Sequence, residues 1–132
     1  MRVFINNRNR LTTTRSMVER LLLVSNCVPI VVDNASTYPP LLEWYREADI
    51  EIAYLGGNVG SQAPWNSGLC GGVADDYYAV TDSDLDISAV PLDMLDVLID
   101  GLNKYRVHKA GLSLEIRDVP SSLPCLDWER SL

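Results

Sequence analysis

Tyr77-Tyr78-Ala79-Val80-Thr81-Asp82-Ser83-Asp84-Leu85-Asp86 is the stretch that decides how the chain is read. The run from Tyr77 to Thr81 is β-prone and ends abruptly in carboxylates at i, i+2 and i+4. Aspartate is depleted in strands, so the strand is expected to stop there with Asp82 and Asp84 at its carboxyl end. In open α/β sheets that edge is where ligands bind. Two hard carboxylate oxygens at such a point suit Mg²⁺ or Mn²⁺, a cation usually shared with substrate phosphates. The stretch is therefore a candidate metal–diphosphate site, and a solvated loop of acids is the plain alternative. A calcium loop would continue D-x-D-x-D-G to a terminal Glu, but Ile87 holds the glycine position and Asp93 the terminal one, so an EF-hand does not fit. A D-x-D phosphohydrolase also stays open, although its motif normally lies near the start of the domain.

Composition narrows the setting. At 132 residues the chain makes one domain, residues 1–132, large enough for a conventional core. Hydrophobic residues at 47% and charged residues at 22% are ordinary for a globular protein. The longest apolar stretch, Leu21 to Val32, is interrupted by Ser25, Asn26 and Pro29, which excludes a membrane-spanning helix there. The N-terminus lacks a signal-peptide core. Cys27, Cys70 and Cys125 are odd in number and form no C-x-x-C, which points to reduced thiols and a cytoplasmic setting. A net charge of −7 speaks against binding nucleic-acid duplexes.

Outward from the acidic stretch, strands and helices alternate. Arg2 to Asn6 reads as a first strand, followed by the polar turn Asn7-Arg8-Asn9-Arg10. A helix is expected over Thr12–Leu23, with Thr12, Thr13 or Thr14 as N-cap and Met17, Val18, Leu21 and Leu22 facing inward. Pro29 to Val32 is almost purely apolar, as parallel strands covered on both faces are. It stops at the turn composition Asp33-Asn34-Ala35-Ser36. Pro39 and Pro40 mark the start of a short helix over Leu41–Ala48, and Ile50 to Tyr54 alternates as a third strand. A glycine-rich loop, Gly56-Gly57-Asn58-Val59-Gly60-Ser61, leads into a short helix ended by the glycines at 68, 71 and 72. Beyond the acids, a helix is expected over Pro91–Tyr105 with Leu92, Leu95, Leu98, Ile99 and Leu102 as its stripe. Ala110 to Ile116 reads as a last strand, and the tail as loop. The whole is an α/β domain with a mainly parallel sheet.

The smaller signals are ambiguous singly. Asp33 is a second acid at a strand end, or a turn cap. The Gly56–Gly60 loop lets backbone approach a ligand or merely turns the chain, and lacks the G-K-[ST] of a Walker loop. Arg8, Arg10 and Arg15 offset a diphosphate or are surface cations. Asn58 and Asn66 are ligand contacts, or turn and cap residues. His108, the lone histidine, reads as a surface residue.

In order, these pieces resemble the nucleotide-sugar-binding half of GT-A-fold glycosyltransferases, particularly the family 2-like enzymes. The resemblance is carried by Phe4-Ile5-Asn6-Asn7-Arg8-Asn9-Arg10, Val31-Val32-Asp33-Asn34-Ala35-Ser36, Gly57-Asn58-Val59-Gly60 with Asn66-Ser67-Gly68-Leu69, and the D-x-D of Asp82-Ser83-Asp84. It spans residues 3 to about 86. What it implies is a Rossmann-like GT-A domain that transfers a sugar from a UDP-sugar to a hydroxyl acceptor, with inversion. Asp33 would bind the uracil or ribose, with Asn6 and Arg8 lining the same pocket. Asn58, Gly60 and Asn66 would lie near the nucleotide, with Asp82 and Ser83 facing the ribose or sugar. Asp82 and Asp84 would hold Mn²⁺ or Mg²⁺ on the diphosphate. Such enzymes are usually much longer, and their second half supplies the acceptor pocket, a further metal ligand (often His) and a base. Here Glu115 and Asp118 are candidates for the base, with Asp127 and Glu129 as others, and His108 for the extra ligand if it folds back. A domain that binds the nucleotide sugar without turning it over, and a homo-oligomer that completes the acceptor site, both remain compatible with the sequence.

Overall fold

The structure, a computed structural model, describes residues 1–72 and 77–113. Two compact units divide the chain, Met1–Val97 and Leu98–Leu132. The first contains a four-stranded, all-parallel sheet of β1 (Arg2–Asn7), β2 (Val28–Asp33), β3 (Glu51–Tyr54) and β4 (Tyr78–Asp82). Its order is β3-β2-β1-β4. The helices α1 (Thr12–Leu21), α2 (Pro39–Glu47) and α3 (Ala63–Asn66) fill the connections, with a 3₁₀ turn at Leu69–Gly72 after α3. This is the α/β sheet flanked by helices that the alternating pattern predicts.

Pleating sorts the apolar residues of the central strands onto two faces. Val3, Ile5 and Val31 meet Met17, Val18 and Leu21 of α1 and Leu41 and Tyr45 of α2 on one face. Phe4, Ile30 and Val32 meet Ala63 and Cys70 on the other. Both faces of β1 and β2 are thus covered, which is why these strands carry unbroken apolar runs. Burying each such side chain stabilises the fold by about 1.5–3 kcal/mol.

Most element boundaries shift by one or two residues, α2 spanning Pro39–Glu47 rather than Leu41–Ala48, and the departures at α1 and α4 have clear causes. The α1 helix ends at Leu21, two residues early. The chain must reverse before Val28, whose N–H bonds to the Met1 carbonyl, and Asn26 turns it with φ +57°. Val24 fills the core there, while Leu22, expected to face inward, is 55% exposed. No threonine side chain caps α1: Leu11 holds the N-cap position, and the Thr14 hydroxyl donates back to the Arg10 carbonyl at 2.5 Å. The α4 helix spans Met94–Tyr105 rather than starting at Pro91. Residues 91–93 form a tight turn in which the Met94 N–H bonds to the Pro91 carbonyl, so Leu92 is exposed and Met94 and Leu95 are the buried pair.

In the second unit, α4 closes at Tyr105 and Arg106 takes φ +52°. Residues 110–113 form no strand, and no described strand pairs with them. Residues 114–116 of the expected strand lie outside the described residues. None of the described helices is long and apolar enough to cross a membrane.

Candidate functional site

Strand register assembles the site. In the parallel ladders, Asn7 at the end of β1 lies opposite Asp33 at the end of β2, and Asn6 lies opposite Asp82 at the end of β4. The sheet order reverses direction at β1, with β2 and β3 on one side and β4 on the other. That reversal is a topological switch point, where loops splay apart beyond the carboxyl ends and leave a crevice. A cleft of about 350 Å³ occupies this place, lined by Asn6, Arg8, Arg10, Asn34, Asn58, Gly60, Ser61, Asp82, Ser83 and Asp84.

Beneath the cleft, a buried polar chain ties three strand ends together. The Ser83 hydroxyl donates to Asn7 Oδ1 at 2.9 Å, and Asn7 Nδ2 donates to the Tyr45 hydroxyl at 2.7 Å. Tyr45 in turn donates to Asp33 Oδ1 at 3.2 Å, while the Ser36 N–H bonds to Asp33 Oδ2 at 3.1 Å. Tyr45, Asp33, Asn7 and Ser83 are all buried. Burial, and secondarily the negative charge of Asp33, push the Tyr45 hydroxyl well above its ordinary range, with the Asn7 bond acting the other way. The phenol stays protonated and remains a donor to the carboxylate.

Asparagines stitch the loops above. Asn9 adopts φ +58°, a region asparagine enters more readily than most residues. Its N–H donates to the Ser36 hydroxyl at 2.9 Å, and its Oδ1 accepts from the Thr37 and Tyr38 N–H groups at 2.7 and 3.0 Å. Asn34 receives the Val59 N–H at 2.8 Å and donates to the Gly60 carbonyl at 2.9 Å. Asn58 accepts the Gly60 N–H at 3.0 Å. Asn6 Nδ2 points at the Ser61 carbonyl (3.3 Å) and at Asp82 Oδ1 (3.5 Å), leaving its Oδ1 buried and unpartnered. Reversing that amide would set oxygen against two acceptors, so this orientation is the favoured one.

Asp82 and Asp84 both face the cleft, and Asp84 Oδ2 pairs with Arg10 Nη2 at 3.2 Å. No cluster of three His, Cys, Asp or Glu able to hold a metal occurs among the described residues. Two carboxylates at i, i+2 beside free volume nevertheless fit a hard cation that keeps waters and takes its remaining oxygens from phosphate. They do not fit a closed, all-protein cage. Burial raises the pKa of the free thiols Cys27 and Cys70, so neither is poised as a thiolate.

Of the residues singled out from sequence, Asn6, Arg8, Asn58, Gly60, Asp82, Ser83 and Asp84 line one cleft, together with Arg10. Asp33 does not line it: it is 3% exposed and its carboxylate is engaged by Tyr45 and Ser36. Asn66 sits exposed on α3, outside the lining, and Arg15 pairs with Glu19 on α1 at 2.9 Å. His108 is exposed in the second unit. Glu115, Asp118, Asp127, Glu129 and Cys125 lie outside the described residues. Sequence reasoning missed Asn7, Asn9, Asn34 and Tyr45. The available signal was asparagine recurring where β1, β2 and β3 give way to their loops, at Asn7 and Asn9, Asn34 and Asn58.

No protein-family model matches the sequence, and no curated protein does. Solved structures do match in fold. The chain superposes on S. aureus TarS, a glycosyltransferase, with a TM-score of 0.57 at 18% identity, covering 84% of this chain and 22% of that one. A second S. aureus TarS structure, of residues 1–349, gives a TM-score of 0.55 at 17% identity, covering 89% of this chain and 39% of that one. The chain therefore spans well under half of either structure, and the likeness is one of fold.

Proposed function

Starting from a glycosyltransferase-like fold, we propose that the chain binds a UDP-sugar together with Mn²⁺ or Mg²⁺ and transfers the sugar to a hydroxyl acceptor with inversion. One observation carries this reading: the cleft at the switch point gathers two carboxylates, two arginines and the amides of Asn6, Asn34 and Asn58 from separate loops. Carboxylates alone would repel a diphosphate, and arginines alone would need no acids. Their mixture suits an anion that arrives with its cation. Arg8 and Arg10 would contact the phosphates, and Asp82 and Asp84 would hold the cation. When bound, that cation would neutralise charge developing on the departing UDP.

With Asp33 engaged by Tyr45 and Ser36, this reading gives the polar contacts to uracil and ribose to Asn6 and Asn58. Asp33 then fixes the loop that presents Asn34. In the transfer itself, the acceptor oxygen would bond to the anomeric carbon as the carbon–oxygen bond to UDP breaks. The electron pair leaves with the diphosphate, and the hydroxyl proton passes to a base. Glu115 and Asp118 are proposed for that base. The described lining holds no acid besides Asp82 and Asp84, which favours a second reading, a domain that binds the donor without turnover.

Titration calorimetry with UDP-glucose, with and without Mn²⁺, tests the proposal on the native chain and on Asp84→Asn. Metal-linked binding that the substitution abolishes is the expected result. Slow UDP release onto water would then favour the transferase over the binding domain, and release of inorganic phosphate from phosphomonoesters would favour a phosphohydrolase. Absence of metal-linked binding of UDP-glucose, UDP or GDP would sink the reading.

A further inference from the structure

The Arg10–Asp84 ion pair joins a cation expected at the phosphates to a carboxylate expected at the metal. We propose that Arg10 is an internal counter-ion for Asp84, held on the carboxylate until a diphosphate takes the guanidinium, so that cation and nucleotide bind as a linked pair. This rests on the donor-site reading above.

Three observations carry it. First, the contact is one Nη2–Oδ2 approach of 3.2 Å between side chains 55% and 42% exposed. Such pairs are worth at most about 1 kcal/mol, so the pair forms yet opens readily. Second, the backbone around Arg10 is anchored while its side chain is not. Asn9 is clasped to Ser36, Thr37 and Tyr38, the Thr14 hydroxyl bonds the Arg10 carbonyl, and the Arg15 N–H bonds the Leu11 carbonyl. The guanidinium can therefore swing without the loop rearranging. Third, Arg8 lines the same cleft and makes no ion pair among the described residues. The acid is thus held by one specific cation of the pair.

The chemistry sets the direction. A guanidinium binds phosphate oxygens in a fork, a stronger contact than one bond to an exposed carboxylate. Once the diphosphate draws Arg10 away, Asp84 is released for the cation, and the cation's arrival removes the partner to which Arg10 would return. Each ligand therefore raises affinity for the other, by the same factor in both directions.

Calorimetry tests this with three titrations: Mn²⁺ alone, UDP alone, and UDP with saturating Mn²⁺. Arg10→Gln should bind Mn²⁺ alone more tightly, by up to about fivefold, the equivalent of an exposed ion pair. It should bind UDP with Mn²⁺ about tenfold or more weakly, for loss of a charge-assisted bond. Arg8→Gln should weaken UDP without tightening Mn²⁺, because Arg8 does not hold Asp84. Arg10→Lys, which keeps the charge, should return Mn²⁺ affinity toward the native value. Native-like Mn²⁺ affinity in Arg10→Gln, with UDP binding intact in the native chain, would overturn the counter-ion and leave the donor site standing. A native chain that binds neither Mn²⁺ nor UDP would overturn both.

Discussion

Replacing Tyr45 by Phe removes a single oxygen, and its cost can be worked from the structure. Tyr45 is 4% exposed, and its hydroxyl accepts from Asn7 and donates to Asp33. In the variant, the buried Asn7 Nδ2 loses its acceptor and Asp33 Oδ1 loses its donor. A buried polar group left without a partner costs about 1–3 kcal/mol, more when charged. Asp33 keeps the Ser36 N–H on its other oxygen, so the two losses together come to about 2–4 kcal/mol. For a domain of this size, each kcal/mol lowers Tm by about 3–5 °C, so the expected drop is about 6–20 °C. Urea denaturation should show the same loss as a lower midpoint with an unchanged slope. Tyr54→Phe is the control, since Tyr54 is 61% exposed and its ring, packed edge-on to Tyr45 at 5.9 Å, is retained. That change should stay within about 0.5 kcal/mol. A Tyr45→Phe protein melting within 2 °C of the native chain on an about 3–5 °C per kcal/mol scale would refute the idea that this network secures the strand ends.

Alkaline titration gives a related outcome. The folded state raises the Tyr45 pKa above its ordinary 10.0, so the protonated phenol is favoured in the fold, and its contribution to stability is full below that value. Stability should then fall as pH rises above 10.0, and Tyr45→Phe should remove that component in pH-dependent melts. Gly60→Ala should cost about 1–2 kcal/mol, because Gly60 sits at φ +83°. A Cβ there meets nothing within 4 Å, so the cost is backbone strain alone. It should also weaken UDP binding by shifting the carbonyl that Asn34 holds, and unchanged melting would contradict the strained geometry. Asn9→Gly keeps the φ +58° conformation but loses the two side-chain bonds, at about 1–2 kcal/mol by denaturant titration. Asn9→Ala should lose about 1 kcal/mol more, and equal losses would show that the conformation contributes nothing.

The layers of the fold were legible because they are written locally. A short β-branched run such as Ile30-Val31-Val32, closed by Pro29 and by the turn residues from Asp33, reads as a covered strand, and Asp82 and Asp84 stand out because carboxylates stop a β-prone run. Helix ends were less legible. Leu22 keeps the spacing of Val18, but the need to reverse toward Val28 leaves it in solvent. The buried polar chain was hidden for a different reason. Tyr45 in an amphipathic helix reads as a core aromatic, and Asn7 as a turn residue. Their partnership exists only once register sets residue 7 beside residue 33 and residue 6 beside residue 82. Asp33 shows the same limit: an acid at a strand end looks like a ligand contact until the α2 helix brings a phenol onto it.

Why asparagine recurs at this edge follows from the problem the edge poses. Parallel strands end together here, and each connecting loop leaves its backbone N–H and carbonyl groups without ladder partners. Carboxylates accept only, and lysine or arginine donates only, so neither can serve both kinds of orphan. An amide both donates and accepts and carries no charge. Asn34 uses both functions across loops, taking the Val59 N–H and giving to the Gly60 carbonyl. Asn7 does so below the cleft, between Ser83 and Tyr45. Asn9 spends its carbonyl on two N–H groups at the start of α2. Because these ties are neutral, the loops do not depend on the charges of Arg8, Arg10, Asp82 and Asp84, whose one ion pair among the described residues, Arg10–Asp84, is exposed and weak. Those charges stand on a scaffold fixed by amides, and an ionic ligand can exchange them without loosening the fold.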